Sequence, residues 1–339
     1  MKKLLTNIFN KKRSLSLKEL AFLEIKKTTK VSEIFKAISK YNDSSEIRFV
    51  GGCVRKILNN EKFDDIDLAT NIKPEEVKEC LKNNNINFYE TGIEHGTITA
   101  NIEEKNFEIT SLREDVLSDG RRAVVEFTND WKKDSFRRDL TINSIYSDLD
   151  GNLFDPHDGL KDLQNGIVKF IGDPEKRIKE DYLRILRYVR FFLNYSKKKH
   201  ESNIIRIIKQ NISGVINLSK ERLLDELKKL LLSKGFVNLI KDEISKEIIL
   251  LIFPQLKNLN ILKKLDKYSK SLIQKKDFIF ILSLLIVDET DNSDFFLYKF
   301  NVSNETKKKI IFFKNIYFNP IKDETFSKKN LKKILYYYG

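Results

Sequence analysis

The chain reads as α+β, with a turn-rich region of mixed strands and helices followed by a wholly helical region. Three observations separate the two. Nine of the 12 glycines lie before residue 173, the exceptions being Gly214, Gly235 and Gly339. Beyond Glu175 the apolar residues recur at helical spacing, as in Ile178, Leu183, Leu186 and Val189, and again in Leu223, Leu224, Leu227, Leu230 and Leu231. Charge divides the same way: residues 176–339 carry 35 Lys and Arg against 18 Asp and Glu, whereas residues 1–175 carry 28 against 31. A carboxylate-bearing half joined to a basic half suits metal-assisted chemistry in one part and a bound polyanion in the other. A solvated, lysine-rich helical surface would give the same count.

Residues 12–42 read as one or two helices ahead of a short strand at residues 47–50. A helix is expected from Pro74 to about Asn83, because Pro suits the first turn and Glu75 and Glu76 face the positive end of the helix dipole. Residues 96–102 and 106–112 read as strands. Residues 113–131, which include Gly120, read as a mobile excursion between strands. The boundaries that follow are 1–46, 47–172, 173–235 and 236–339.

Length alone, 339 residues, asks for two or three domains, and 41% hydrophobic with 11% aromatic residues is enough to fill their cores. No apolar run is long enough to span a bilayer, so no membrane is implied. The start of the chain is basic, but its apolar stretch is cut short by Lys11, Lys12 and Arg13, which does not read as a secretory signal. A cytoplasmic protein is expected. Two cysteines, Cys53 and Cys80, exclude a cysteine zinc cluster and argue against a structural disulfide. Three histidines leave little scope for histidine-based metal chemistry.

The most informative segment is Gly51-Gly52-Cys53-Val54-Arg55 followed by Asp64-Asp65-Ile66-Asp67. Paired glycines after a strand let backbone N–H groups approach phosphate oxygens with no Cβ in the way, and Arg55 adds charge. On an extended segment Asp65 and Asp67 share a face while Ile66 and Leu68 point into the core. Hard oxygen ligands of this kind favour Mg2+ or Mn2+. Taken singly, each fragment is equally an ordinary turn or an acidic strand edge. A second cluster, Arg137-Arg138-Asp139 with Asn143, offers the grip on phosphates that such a metal site needs. A third, Arg177 to Arg190 with Glu180-Asp181-Tyr182-Leu183-Arg184 within it, reads as one helix with Asp181, Arg184 and Arg187 along a side. An intrahelical Asp–Arg pair stabilises by only about 0.2–0.5 kcal/mol, a weak reason to place them there. A stronger one is that Asp accepts from an exocyclic amine while Arg donates to the adjacent ring nitrogen, a pattern offered by cytosine and adenine and inverted in uracil and guanine.

With these three segments in order, residues 47–192 resemble the class II CCA-adding tRNA nucleotidyltransferase and bacterial poly(A) polymerase family. The linking pieces Thr91-Gly92-Ile93-Glu94-His95-Gly96-Thr97, Phe107-Glu108-Ile109-Thr110, Asp155-Pro156 and Gly159 carry the resemblance further, and read most like alphaproteobacterial CCA-adding enzymes. The resemblance implies a polymerase beta-like nucleotidyltransferase head at 47–172, preceded by an N-terminal helical segment at 1–46. It also implies a nucleotide-reading helical neck at 173–235 and a tRNA-binding body and tail at 236–339. It implies that Asp65 and Asp67 hold the metal ions, with Glu108 as a third catalytic carboxylate. Nucleotide is then bound by Gly51, Gly52, Arg55, Arg138, Asn143, Asp181, Arg184, Arg187 and Arg190. The implied activity is addition of CMP and AMP to the tRNA 3′ end from CTP and ATP, with no stable protein partner. Poly(A) polymerase, CC-only and A-only activities share the same residues, and a non-catalytic RNA-binding protein is the reading from another class. The family usually has Asp after the turn arginine, where this chain has Lys56, which puts a local salt bridge in doubt. Beyond residue 192 the likeness is one of helical composition, and the chain ends soon after Tyr336, Tyr337 and Tyr338, short for the family's tail.

Overall fold

The computed structural model describes residues 17–63, 65–118, 123–264, 266 and 277–318. Asp64, Gly120, the start of the chain through Arg13 and the tyrosines at 336–338 lie outside the described residues. The chain divides after Gly172 into two compact units.

The first unit opens with helices α1 (Leu17–Thr28) and α2 (Val31–Ser39). Apolar residues at i, i+3, i+4 and i+7 in α2, namely Val31, Ile34, Phe35 and Ile38, make one buried stripe. That stripe and Phe22 of α1 pack on Phe49 of strand β1 (Ile47–Val50), with the Phe22 and Phe35 rings 5.5 and 5.0 Å from that of Phe49. Each such side chain taken out of water stabilises by about 1.5–3 kcal/mol. After β1 come α3 (Gly52–Leu58), β2 (Asp67–Thr70), α4 (Pro74–Asn83), β3 (Asn87–Gly92), β4 (Thr97–Ile102) and β5 (Lys105–Ser111). The expected strand at 47–50 and helix at 74–83 are found at those bounds, and β4 and β5 within one residue.

Residues 113–131 differ from the expected excursion. They form a two-stranded antiparallel ladder, β6 (Arg113–Ser118) with β7 (Ala123–Phe127), and then enter α5 at Trp131. The run Ala-Val-Val-Glu-Phe in β7 is rich in residues that favour extended backbone, which a reading by loop position overlooks. Helix α5 (Trp131–Phe136) precedes a 3-10 turn at Thr141–Asn143, the short strands β8 (Tyr146–Ser147) and β9 (Leu153–Phe154), and α6 (Gly159–Asn165).

Among the described residues the main sheet has seven strands in the order β3-β4-β5-β2-β1-β8-β9. The β2–β5 pair is parallel and its other pairs are antiparallel. Alternation along β1 gives the sheet two faces. Ile47 and Phe49 join the core beneath the helices, while Val50 meets Ala69, Leu112, Trp131 and Tyr146 in a second cluster. Parallel pairing of β2 with β5 is what puts the start of β2 beside the middle of β5, where the candidate site lies.

The second unit is helical, as its apolar spacing predicts: α7 (Pro174–Glu180), α8 (Leu183–Tyr195), α9 (Ser202–Asn211), α10 (Lys220–Leu231), α11 (Glu243–Ile252), α12 (Ile261–Lys264), α13 (Phe278–Ile286), α14 (Asn292–Phe300) and α15 (Asn304–Phe318). One expectation is corrected. The segment 177–190 is not one helix, because Asp181 is extended at φ −156°, ψ 105° and separates α7 from α8. Its carboxylate accepts the N–H of Leu183 at 3.1 Å, the local side-chain bond by which Asp competes with helix hydrogen bonding.

Gly159 packs directly on the backbone of the 3-10 turn, and a Cβ there would overlap the carbonyl oxygen of Thr141. Gly159→Ala should therefore destabilise the first unit by about 1–3 kcal/mol, the usual cost of overpacking. That corresponds to a fall of roughly 2–4 °C in Tm per kcal/mol, measured by thermal melting. An unchanged Tm would mean that the turn yields freely.

Candidate active site

Strand β1 ends at Gly51, whose φ of +70° lies where only glycine sits without strain. A Cβ placed there would lie 3.8 Å from Arg138 Nη1 and 4.0 Å from Asp67 Oδ2. A guanidinium and a carboxylate, far apart in sequence, thus reach the same turn. Gly52 opens α3, and a Cβ on it would lie 3.9 Å from Arg55 Nη2.

Asp67 is the first residue of β2, and its partner in the parallel ladder is Glu108 of β5. Asp65 lies two residues before the strand begins and is exposed, while Ile66 and Leu68 are buried, as the alternation predicts. Burial raises the Asp67 carboxyl above its ordinary value, and the charges of Glu108 and Asp65 raise it further. Arg138 and Lys56 pull the other way and do not win. Two further carboxylates therefore bear on Asp67 near the Gly51 turn.

The hard-oxygen set of Asp65, Asp67 and Glu108 fits a divalent ion, whose charge would relieve the repulsion that raises Asp67. Among the described residues no group of three or more His, Cys, Asp or Glu closes into a metal cage. Mg2+ needs no such cage, since it is usually held by one or two carboxylates together with substrate phosphates.

The arginine pair is fixed from beneath by a residue that the sequence reading missed. Asp130 caps α5 by accepting from the N–H of Lys132 at 2.7 Å. Four residues on, the buried Asp134 accepts from Arg137 Nε at 2.8 Å, Arg138 Nη2 at 3.1 Å and the Tyr146 hydroxyl at 2.7 Å. Burial pushes this carboxyl up, but Arg138, Arg137 and Tyr146 outweigh it and hold it well below the usual carboxylate range. Arg138 also lies over the Tyr146 ring at 5.0 Å. The i−4 spacing of Asp134 from Arg138 is a sequence signal that could have found it. Tyr146 comes from another strand and left none.

Arg55 and Asn143 meet below the turn. Arg55 is buried and donates to Asn143 Oδ1, and Asn143 Nδ2 donates to Asp139 at 2.9 Å. The structure thus brings together Gly51, Gly52, Arg55, Asp65, Asp67, Glu108, Arg138 and Asn143.

The remaining predicted residues lie in the second unit. Asp181 Oδ2 accepts from Arg222 Nη2 at 2.7 Å. Arg184 Nη1 donates to Glu180 at 2.7 Å and to the carbonyl of Arg177 at 2.8 Å. Arg190 pairs with the buried Glu226, and Arg187 is half-buried on α8 between them. Arg222 and Glu226 lie 41 and 36 residues from their partners, beyond the reach of local spacing.

Residues 47–169 match the family described as the poly(A) polymerase head domain. A CCA-adding enzyme of Staphylococcus haemolyticus is 33% identical over 302 residues, covering 87% of this chain and 70% of that one. The chain belongs to the class II CCA-adding enzyme family. Human mitochondrial CCA tRNA nucleotidyltransferase 1 is 47% identical over 201 residues, 58% of this chain and 46% of that protein. The chain spans about half the length of the vertebrate relatives it matches. A tRNA nucleotidyltransferase solved with a primer tRNA and an incoming ATP analog shares the fold, with a TM-score of 0.67 at 22% identity over 89% of this chain and 91% of that one. In this member of the CCA-adding family, the charge of Lys56 bears on Asp67 and pulls its carboxyl pKa down against burial, Glu108 and Asp65.

Because the folded Asp67 carboxyl lies above its ordinary value of 3.8, keeping it ionised costs the folded state. That cost is fully present above the raised value and gone below the ordinary one. In metal-free protein Asp67→Asn should raise Tm at neutral pH, by about 2–4 °C per kcal/mol relieved, and the gain should vanish as the pH falls toward that of an ordinary carboxylate. A variant that melts lower at neutral pH would show that Asp67 is held by attraction instead.

Proposed function

We propose that this chain is a template-independent nucleotidyltransferase that adds CMP and AMP, from CTP and ATP, to the 3′ end of tRNA and releases pyrophosphate. The observation that carries the reading is the meeting of Asp67, its neighbours Asp65 and Glu108, and Arg138 at the Gly51 turn. In the reaction the tRNA 3′ oxygen attacks the α-phosphorus, and the bond to the pyrophosphate oxygen breaks. Asp65 and Asp67 would hold two Mg2+ or Mn2+ ions, which when bound favour ionisation of the 3′ hydroxyl and offset charge on the leaving phosphates. Glu108 completes the acidic side of the cradle. Gly51 and Gly52 leave room for the triphosphate, and Arg138, braced on Asp134, supplies positive charge to it. Arg55 and Asn143 keep the two halves of that grip in register from below.

Base choice falls to Asp181 and Arg184, with Arg187 and Arg190 further along α8. To read a base, Asp181 exchanges Arg222 for an exocyclic amine, and Arg184 exchanges Glu180 for a ring nitrogen. Partners already in place lower the cost of keeping these charges half-buried between turnovers. The basic helical half, read as neck at 173–235 and body and tail at 236–339, takes the tRNA through phosphates and shape. Cytoplasmic location and a special likeness to alphaproteobacterial members belong to the same proposal.

The test is incubation of the purified protein with tRNA lacking its CCA, Mg2+ and each labelled nucleotide in turn. Addition of C, C and A followed by arrest is the expected result. Long A tails would assign a poly(A) polymerase, addition of only CC or only A a partial enzyme, and no addition an RNA-binding protein. Asp67→Ala should cut incorporation by more than about a hundredfold, the upper end for losing even an outer partner of a metal ligand.

Asp181→Ala and Arg184→Ala should admit UTP and GTP while Asp67-dependent metal binding persists. Variants that still reject both nucleotides would refute the reading role. Affinity for tRNA should fall linearly in a log–log plot against salt, with a slope of about −0.7 to −0.9 per phosphate contacted. A flat response would count against the basic half as the tRNA-binding part.

A further inference from the structure

Arg138 and Asn143 lie on a seven-residue stretch, residues 137–143, whose two ends are held by the same outside segment. At one end Thr141 Oγ1 donates to the buried Asp162 at 2.7 Å, and Gly159 lies against the Thr141 carbonyl. At the other end Ser135, fully buried in α5, lies 2.8 Å from His157 Nε2, and the Phe136 ring meets the imidazole edge-on at 4.7 Å. Residues 155–160 are themselves locked, because the Asp155 carboxylate accepts the N–H groups of Gly159 and Leu160, both at 2.8 Å.

The direction of the Ser135 contact follows from counting protons. A serine hydroxyl has one, and that of Ser135 goes to the carbonyl oxygen of Lys132 at 2.6 Å. The imidazole must therefore donate its Nε2–H to Ser135 Oγ. Burial keeps His157 below its ordinary pKa against the pull of Asp155, with Lys132 and Lys169 adding to the fall, so the ring is neutral and this tautomer persists at neutral pH.

Helix α5 has six residues, too few to hold its shape by its own hydrogen bonds. Yet it carries Asp134, to which both arginines are anchored. We propose that His157 is a positioning residue for nucleotide binding: by holding Ser135 and Phe136 from the 155–160 turn, it fixes the Asp134 end of the stretch while Gly159 and Asp162 fix the Asn143 end. The turn acts as a bracket that sets the spacing between Arg138 and Asn143. This rests on the reading that Arg138 binds the triphosphate.

The test uses the full chain with His157→Phe, His157→Gln, Ser135→Ala and Arg138→Ala. Phe keeps the ring packing but cannot donate, whereas Gln restores a donor near the Nε2 position. Equilibrium binding of ATP with Mg2+ and the KM for CTP and ATP are measured beside kcat. Exchange of the Arg138 Nε–H proton is followed by NMR, with Arg138→Ala giving the assignment. His157→Phe and Ser135→Ala should each weaken nucleotide binding about three- to tenfold, the worth of one net hydrogen bond. Each should leave kcat within about twofold and speed Nε–H exchange by the same factor. His157→Gln should recover most of the loss, and the His157→Phe/Ser135→Ala double variant should be no worse than either single one.

Unchanged binding and exchange in both His157→Phe and Ser135→Ala would overturn the bracket, as would a failure of Gln to rescue. Unchanged binding in Arg138→Ala overturns instead the assignment of Arg138 to nucleotide, and the exchange measurement then still decides whether His157 holds it. Should His157→Phe fail to fold, Ser135→Ala and His157→Gln decide the same question.

Discussion

Everything at the candidate site depends on keeping Asp67 between two opposed sets of charge. Burial, Glu108 and Asp65 press it toward the neutral form, while Arg138 and Lys56 favour the ionised one. A fold selected for stability alone would not gather three carboxylates at one strand end, because like charges at close range raise one another's pKa and cost the folded state. The parallel β2–β5 pairing enforces the arrangement, since it fixes Asp67 opposite Glu108 without regard to local preference. A divalent ion is the simplest way to turn this repulsion into attraction.

The positive side of the site is built on a different principle. Arg138 is braced by a buried carboxylate and a tyrosine hydroxyl before it meets any ligand, so its charge is presented by a rigid mount instead of a flexible arm. Mounting costs burial of Asp134, and the hydrogen bonds it accepts from Arg137, Arg138, Tyr146 and the backbone N–H of Arg113 offset that cost. Pre-organised charge of this sort loses less entropy on binding than a free side chain. It also explains why arginine stands here and not lysine, because one guanidinium can face a carboxylate, a phenol and a phosphate at once.

Much of this was legible in the sequence, and the limits have physical causes. The strand at 47–50, the helix at 74–83 and the alternation Ile66 and Leu68 inward were readable because each is a local pattern of period 2 or 3.6 on a single element. Asp65 and Asp67 were readable for the same reason, although Asp65 proves to precede the strand instead of lying within it. The break at Asp181 was missed because its apolar neighbours continue the helical period straight through, and only the side-chain bond to Leu183 reveals the competition. The β6–β7 pairing was missed because neither segment alternates strongly and the glycine at 120 drew the reading toward a loop, although Ala-Val-Val-Glu-Phe favours extended backbone. Tyr146, Arg222 and Glu226 were beyond reach, since each acts on a residue that folding alone brings near.

Lys56 sets a positive charge beside the acidic cluster. An Asp at this position would add a fourth negative charge to a cluster whose central member already sits above its ordinary pKa. Lysine does the opposite: it favours the ionised form of Asp67, as Arg138 does from the other side. In a metal-free site this makes the carboxylate easier to keep charged, and so readier to take up an ion. The same positive charge then competes weakly with that ion for Asp67. The two effects oppose each other, and a divalent ion held there would outweigh the lysine, because a double charge in contact exceeds a screened ammonium on the flank. A lysine at position 56 is therefore compatible with the acidic cluster it faces.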